Sequence, residues 1–166
     1  MFTQAKKLTW SLALCGAGFV AALLVLSPID AADQKAGPLQ SQIVRWDDAK
    51  SHTADWGEMR FYFRGQTQAT KDVLVAAAIV QPGKTVHAAH RHAEEEYLML
   101  VEGSGTWSLA GKKIPAQRGD VLYAEPWVYH GITNTGTEPL IFAVVRYNGK
   151  GVNPPPRPQD GKKDEL

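Results

Sequence analysis

The stretch HRHAEEEYLMLVEG, residues 90 to 103, joins two histidines and a run of three acids to an apolar segment that ends at a glycine. Side chains two residues apart on an extended strand point to the same face. His90 and His92 can therefore aim at one point, and Glu96 keeps the same parity. His130, within PWVYHGITN, can complete the set from a neighbouring strand. The sequence thus predicts a cluster of imidazole and carboxylate groups at the start of a buried strand.

Such a cluster predicts a site for a divalent transition metal. Imidazole nitrogens with one carboxylate oxygen suit Fe, Mn, Ni, Cu or Zn better than Ca or Mg, and the sequence does not choose among these ions. The only cysteine is Cys15, so a cysteine-rich structural zinc site and an intrachain disulfide are both excluded. We expect His52 and His87 to lie on the surface or on a loop, and Glu94 and Glu95 to be solvated.

Short segments rich in β-branched and aromatic residues predict an all-β domain, either an antiparallel sandwich or a small barrel. Turn sequences such as QPGK, QRGD and NTGTEP separate many of these segments. The polar residues 47 to 57 are expected to form a loop with a helical turn. The expected strands cover residues 58–64, 72–80, 96–103, 105–111, 120–125, 130–134 and 140–147.

Two motifs within residues 70 to 147 resemble those of the cupin family. The matching positions are Gly83, His90, His92, Glu96 and Gly103 in the first motif, and Gly119, His130 and Asn134 in the second. Trp127 stands where the family's second motif has a glycine. The resemblance implies a double-stranded β-helix, a small single-domain jelly-roll barrel. It also implies that the metal lies inside the barrel, held by His90, His92, Glu96 and His130.

The resemblance leaves two classes of function open, because cupins include enzymes, storage proteins and transcription factors. On resemblance alone, we favour a metal-dependent enzyme with a dioxygenase-like reaction on a small aromatic or enol substrate. Glu96 would then ligate the metal or act as the catalytic base. The alternative is a non-catalytic module that binds a small sugar-like ligand and holds a structural metal.

Aromatic and arginine residues on the expected strands are candidates for a substrate pocket. The expected pocket residues are Trp107, Tyr123, Trp127 and Tyr129. The arginines on strand-like segments are expected to be outward and solvated, whereas an inward one could pair with a substrate carboxylate. These arginines are Arg60, Arg64 and Arg146.

The N-terminus has the pattern of an export signal. Lys6 and Lys7 precede an apolar run from residue 8 to residue 26, and no acid occurs before Asp30. The run is also long enough to span a bilayer. We expect residues 1 to 32 to be a cleaved signal peptide or a membrane anchor, with a buried helix as the remaining interpretation.

The remaining expectations concern domains, location and partners. Residues 36 to 150 are expected to form the barrel, and residues 151 to 166 a flexible, proline-rich and charged tail. Export predicts a periplasmic location in a bacterium, whereas the final KDEL predicts the lumen of the endoplasmic reticulum in a eukaryote. The net charge of +1 argues against nucleic acid as a partner. The expected partners are a small molecule, the membrane through the N-terminal segment alone, and a second copy in a homodimer.

Overall fold

The computed structural model describes residues 37 to 159, and their regular structure is almost entirely β-strand, which confirms the all-β expectation. The predicted export segment, residues 1 to 32, and the terminal KDEL lie outside the described residues. Within residues 37 to 159, no helix is long and apolar enough to cross a membrane. A short 3₁₀ helix, Trp46–Asp48, comes before the first strand. The strands are β1 (Lys50–Ala54), β2 (Gly57–Gly65), β3 (Thr70–Val80), β4 (Glu95–Glu102), β5 (Ser104–Leu109), β6 (Lys112–Gln117), β7 (Val121–Ala124), β8 (His130–Thr133) and β9 (Leu140–Gly149).

The strands form two antiparallel sheets. The larger has six strands in the order β1-β2-β3-β9-β4-β7, and the smaller has three in the order β6-β5-β8. The last strand, β9, lies between β3 and β4 and pairs with both along most of its length. Because β9 returns to the centre of the larger sheet, residues far apart in sequence face the same interior.

Alternation along the strands determines which side chains form the core. In β4, Leu98 and Leu100 are buried while Tyr97 and Met99 are exposed, and the same period of two governs β7 and much of β9. The inner face of the smaller sheet adds Trp107, Ala116 and Ile132 to one continuous apolar core. Glu96 has the parity of the buried leucines, so the pleat that buries them also turns its carboxylate inward.

Two strands were not predicted from the sequence, and both lie at sheet edges. The expected loop at residues 47 to 57 contains β1, which pairs only with β2 and is largely exposed. Strand β6 pairs only with β5 and contains Pro115. An edge strand can be exposed on both faces, so its sequence need not alternate between apolar and polar residues. It also tolerates proline, because not every backbone N–H has to be paired there.

The glycine of the first motif, Gly103, is required by the tight connection between β4 and β5. Its φ of +83° lies in the left-handed region, and a Cβ atom there would come within 2.8 Å of the Pro139 carbonyl oxygen. Both the backbone conformation and the available space therefore favour glycine.

The asparagine of the second motif, Asn134, has a structural role. It is fully buried, and its side-chain nitrogen donates to the carbonyls of Val80 and Glu138, each at 2.8 Å. Its side-chain oxygen accepts from the backbone N–H of Gly136 at 3.0 Å. These bonds join the turn after β8 to the end of β3 and replace backbone pairing that the turn lacks.

Trp127 adopts a left-handed backbone conformation at the position where the family's second motif has a glycine. Its φ is +67°, in the left-handed region, which is unusual for a large side chain. The backbone N–H of Trp127 donates to the His92 carbonyl at 2.7 Å, and its indole N–H donates to the Pro155 carbonyl at 2.7 Å. The strained turn before His130 is therefore held by contacts on both sides.

The strain at Trp127 generates a prediction about replacement residues. Trp127→Gly and Trp127→Ala both lose the indole, but only glycine adopts the left-handed conformation without cost. We expect Trp127→Gly to be the more stable of the two by about 1 kcal/mol, measured by urea unfolding of the full-length chain.

The control is the same pair of substitutions at Trp46, in the 3₁₀ helix, where alanine should be the more stable residue. Equal stability of the two Trp127 variants would contradict the left-handed turn.

Candidate metal centre

A pair of backbone hydrogen bonds places two of the predicted ligands side by side. The N–H of His90 donates to the carbonyl of His130 at 3.0 Å, and the N–H of His130 donates to the carbonyl of His90 at 2.9 Å. Directly paired residues of antiparallel strands carry their side chains on the same face. This single bridge therefore aligns imidazoles that are forty residues apart in the chain.

The third imidazole, that of His92, completes a nearly equilateral triangle. The ring centroids are 5.1 Å apart for His90 and His92, 4.8 Å for His90 and His130, and 4.9 Å for His92 and His130. One nitrogen from each ring lies within 4.8 Å of the others, a spacing that could hold a metal ion. The structure thus brings the three predicted histidines together.

Glu96 directs its carboxylate at the same point. Its Oε2 lies 3.1 Å from Nε2 of His92, and its Oε1 lies 3.3 Å from Nε2 of His130. The side chain is buried, with 7% of its surface exposed. Strand β4 begins one residue earlier, so the carboxylate is fixed by the regular pleat of the sheet.

Backbone carbonyls orient two of the rings. The carbonyl of Glu94 accepts from Nδ1 of His92 at 3.0 Å, and the carbonyl of Val128 accepts from Nδ1 of His130 at 2.8 Å. A carbonyl can only accept, so in each ring Nδ1 carries the proton and a neutral ring presents the lone pair of Nε2 to the centre. This is the tautomer that binds a metal through Nε2.

The electrostatics favour the ligand form of these groups. Burial, reinforced by the neighbouring histidine rings, lowers the pKa of His90 to about 4. Burial raises the pKa of Glu96, but the His130 and His92 rings that face its carboxylate outweigh burial and lower the pKa to about 2. At neutral pH the His90 imidazole is therefore neutral and the Glu96 carboxyl is ionised, as metal ligation requires.

The pKa of His130 is shifted in the opposite direction. Burial lowers it, but the Glu96 carboxylate and the Val128 carbonyl outweigh burial and raise it. A proton on Nε2 of His130 would take the place that a metal ion fills, between the ring and the carboxylate.

Two orphaned nitrogens show that the site fits a cation. Nδ1 of His90 and Nε2 of His130 are buried, and neither has a hydrogen-bond partner among the described residues. Buried polar atoms are nearly always paired, so an unpaired one needs an explanation. A bound transition metal would satisfy such nitrogens together with Nε2 of His92 and the Glu96 carboxylate.

The metal site opens on a cavity of about 90 Å³. Since one water needs about 10 to 15 Å³, this cavity holds several waters or one small organic molecule. Its walls combine the ligands His90, Glu96 and His130 with apolar and a few polar side chains. The apolar members are Met59, Leu74, Val86, Leu98, Ile132, Phe142 and Val144.

None of the four aromatic residues expected in the pocket lines this cavity. Tyr123 alternates outward on β7 and stacks on Tyr97 at 4.9 Å. Tyr129 is exposed beneath the Arg91 guanidinium, at 4.8 Å. Trp107 is buried in the core but points its indole N–H toward Asp120, and Trp127 bonds to the carbonyl of Pro155. The apolar part of the cavity wall is aliphatic instead, apart from Phe142, because most inward apolar positions of the strands carry aliphatic residues.

Other residues near the site also differ from expectation. The expected solvated Glu94 helps to orient His92, since its carboxylate Oε2 lies 3.3 Å from Nδ1. Glu95 accepts hydrogen bonds from the hydroxyls of Tyr123 and Tyr147 on the outer face. His87 is exposed, as expected, but it lines the cavity and contacts the His90 ring at 4.0 Å. Backbone carbonyls and loop conformation decide these contacts, and neither is visible in residue spacing.

Comparisons with known proteins agree with this architecture. The family model described as a cupin domain matches residues 77–146. The oxalate-binding protein of Thermotoga maritima is 30% identical over 88 residues, which cover 53% of this chain and 73% of that protein. The chain belongs to the cupin superfamily. This cupin also resembles a solved RmlC-like cupin of Shewanella frigidimarina, with 14% identity, a TM-score of 0.55 and coverage of 68% of this chain and 95% of the other. The expected double-stranded β-helix is thereby confirmed.

Two further relatives of this cupin are informative. A solved protein of Thermotoga maritima, described as a predicted oxalate decarboxylase, is 25% identical with a TM-score of 0.53, and the match covers 64% of this chain and 99% of that one. Gentisate 1,2-dioxygenase of a Streptomyces species is 32% identical over 81 residues. That match covers 48% of this chain but only 22% of the enzyme, so this cupin corresponds to about a fifth of the enzyme's length.

The triangle of imidazoles generates a prediction about metal content. Loss of a residue that only hydrogen-bonds to a metal ligand weakens metal binding by roughly 10- to 100-fold. His92→Ala should weaken it by more, because it removes a ligand itself. Metal content after dialysis, measured by mass spectrometry, checks this.

His52→Ala is the matched control, since His52 is exposed on β1 and lies outside the triangle. Equal metal content in the two variants would contradict the assignment of His92 as a ligand.

Proposed function

We propose that this cupin is a metal-dependent enzyme that acts on a small organic molecule, with a dioxygenase-like reaction. The observation that carries the proposal is the convergence of His90, His92, His130 and Glu96 on one point at the wall of a cavity. Four protein ligands leave coordination positions open for substrate on the cavity side. Similarity to gentisate 1,2-dioxygenases of a Streptomyces species and a Ralstonia species supports the choice of reaction.

The bound metal would supply Lewis acidity and a place where substrate and dioxygen react. The chain's own residues supply the rest. Carbonyls fix the imidazoles of His92 and His130, so the ligands need little reorganisation when the substrate binds. The aliphatic wall, which includes Leu98 and Val144, limits water around the reacting groups.

Glu96 fits the role of ligand better than that of general base. A general base works best with a pKa near the operating pH, whereas the histidines hold the pKa of Glu96 at about 2. Such a carboxylate binds a cation readily and accepts a proton poorly. We therefore assign Glu96 to metal ligation, and the arrangement of its neighbours gives no support to a base role.

The second candidate is a module that binds a small ligand without catalysis. The specific observation in its favour is the similarity to the oxalate-binding protein of Thermotoga maritima. The match covers 73% of the length of that protein. In that case the same site would hold metal and ligand, but no bond of the ligand would be broken.

Oxygen uptake separates the two candidates. The full-length protein, loaded in turn with Fe, Mn, Ni, Cu or Zn, is mixed with gentisate, related phenolic acids and enols. We expect one of the redox-active ions to support uptake of one dioxygen per substrate without hydrogen peroxide, because a dioxygenase places both oxygen atoms in its product. His92→Ala should abolish the uptake, and His52→Ala should retain it.

Tight binding of these compounds with no oxygen uptake under any metal would contradict the enzyme and favour the binding module. Release of hydrogen peroxide would identify an oxidase rather than a dioxygenase.

A further inference from the structure

One arginine points into the cavity, contrary to the outward orientation expected for arginines on these strands. Arg146 lies on β9, where its backbone is paired with Glu96 on one side and Leu74 on the other. Directly paired residues share a face of the sheet, and Glu96 and Leu74 both line the cavity. Arg146 lines it as well, near enough for its positive charge to act on the ring of His130.

The guanidinium of Arg146 is unpaired among the residues that the structure describes. No hydrogen bond or ion pair joins it to any residue between 37 and 159. Glu96, its neighbour across the strands, directs both carboxylate oxygens at His92 and His130 instead. The two other arginines expected on strands differ, because Arg60 pairs with Glu58 and with the Trp46 carbonyl, and Arg64 is exposed.

An unpaired guanidinium against an aliphatic wall is unfavourable, since a partly buried charge loses hydration. An arginine guanidinium keeps its positive charge in proteins, so the charge itself remains. Together with a divalent ion at the histidines, Arg146 makes the cavity net positive, and the Glu96 carboxylate offsets only one unit of that charge. The cavity therefore favours an anionic ligand.

We propose that Arg146 binds the carboxylate of a small organic acid whose other end reaches the metal site. The planar fork of a guanidinium matches a carboxylate with two parallel hydrogen bonds. Leu74 and Phe142 would contact the apolar part of the ligand. The role of Arg146 rests on the proposed function, because the other end of the ligand needs the metal site. It concerns the binding of the ligand and not the reaction.

Equilibrium binding to the metal-loaded, full-length protein tests this role. The probes are benzoate and its neutral analogue benzamide, measured by calorimetry. Arg146→Met should weaken benzoate binding by about ten- to a hundredfold, because a charge-assisted pair is lost, and should leave benzamide binding unchanged. Arg146→Lys should recover only part of the loss, since lysine keeps the charge but not the fork. Arg118→Met, in the exposed turn before β7, is the matched control and should bind both probes as the wild type does.

Several outcomes would overturn the role of Arg146. They are benzoate binding by Arg146→Met at wild-type strength, full recovery in Arg146→Lys, and loss of bound metal from Arg146→Met. Wild-type protein that binds neither benzoate nor the smaller pyruvate would overturn it too. Absence of oxygen uptake would contradict the proposed enzyme, yet the binding constants would still decide the role of Arg146.

Discussion

Nε2 of His92 and Nε2 of His130 face the two carboxylate oxygens of Glu96, and in neutral rings these atoms repel one another unless a cation lies among them. The carbonyls of Glu94 and Val128 keep the protons of the His92 and His130 rings on Nδ1. In a neutral ring Nε2 is then a hydrogen-bond acceptor, and it faces a Glu96 oxygen that is also an acceptor. A proton can relieve part of this repulsion, and a transition metal relieves all of it. The need for a cation is therefore built into the backbone and does not depend on the side chains alone.

The architecture of the barrel serves this arrangement. A single antiparallel bridge aligns His90 with His130, and the pleat of β4 turns Glu96 inward. The turn that leads into His130 passes through the left-handed conformation of Trp127, whose backbone N–H bonds to the carbonyl of His92. Strain of this kind persists only where surrounding contacts fix it, and it is often found beside functional sites.

Much of the fold and the geometry of the ligand cluster could be predicted, because both depend on periodicity. A period of two placed Glu96 with the buried leucines and aligned His90 with His92. The edge strand β1 was missed because exposed edges carry no alternation. The expected aromatic pocket stays a prediction, since Tyr123 alternates outward on β7 and does not line the cavity beside the histidines. The inward direction of Arg146 depends on its register with Glu96, which the sequence does not reveal. Parity within a strand is readable from sequence, whereas register between strands is not.

X-ray absorption spectroscopy of the full-length protein with one equivalent of bound metal measures directly which groups coordinate the ion. We expect three imidazole nitrogens and at least one carboxylate oxygen to coordinate the ion, at about 2.0 to 2.2 Å for zinc. Imidazole scattering should fall to two rings in His130→Ala. A first shell of water and carboxylate oxygens with fewer than three imidazoles would contradict the claim that His90, His92 and His130 enclose the ion.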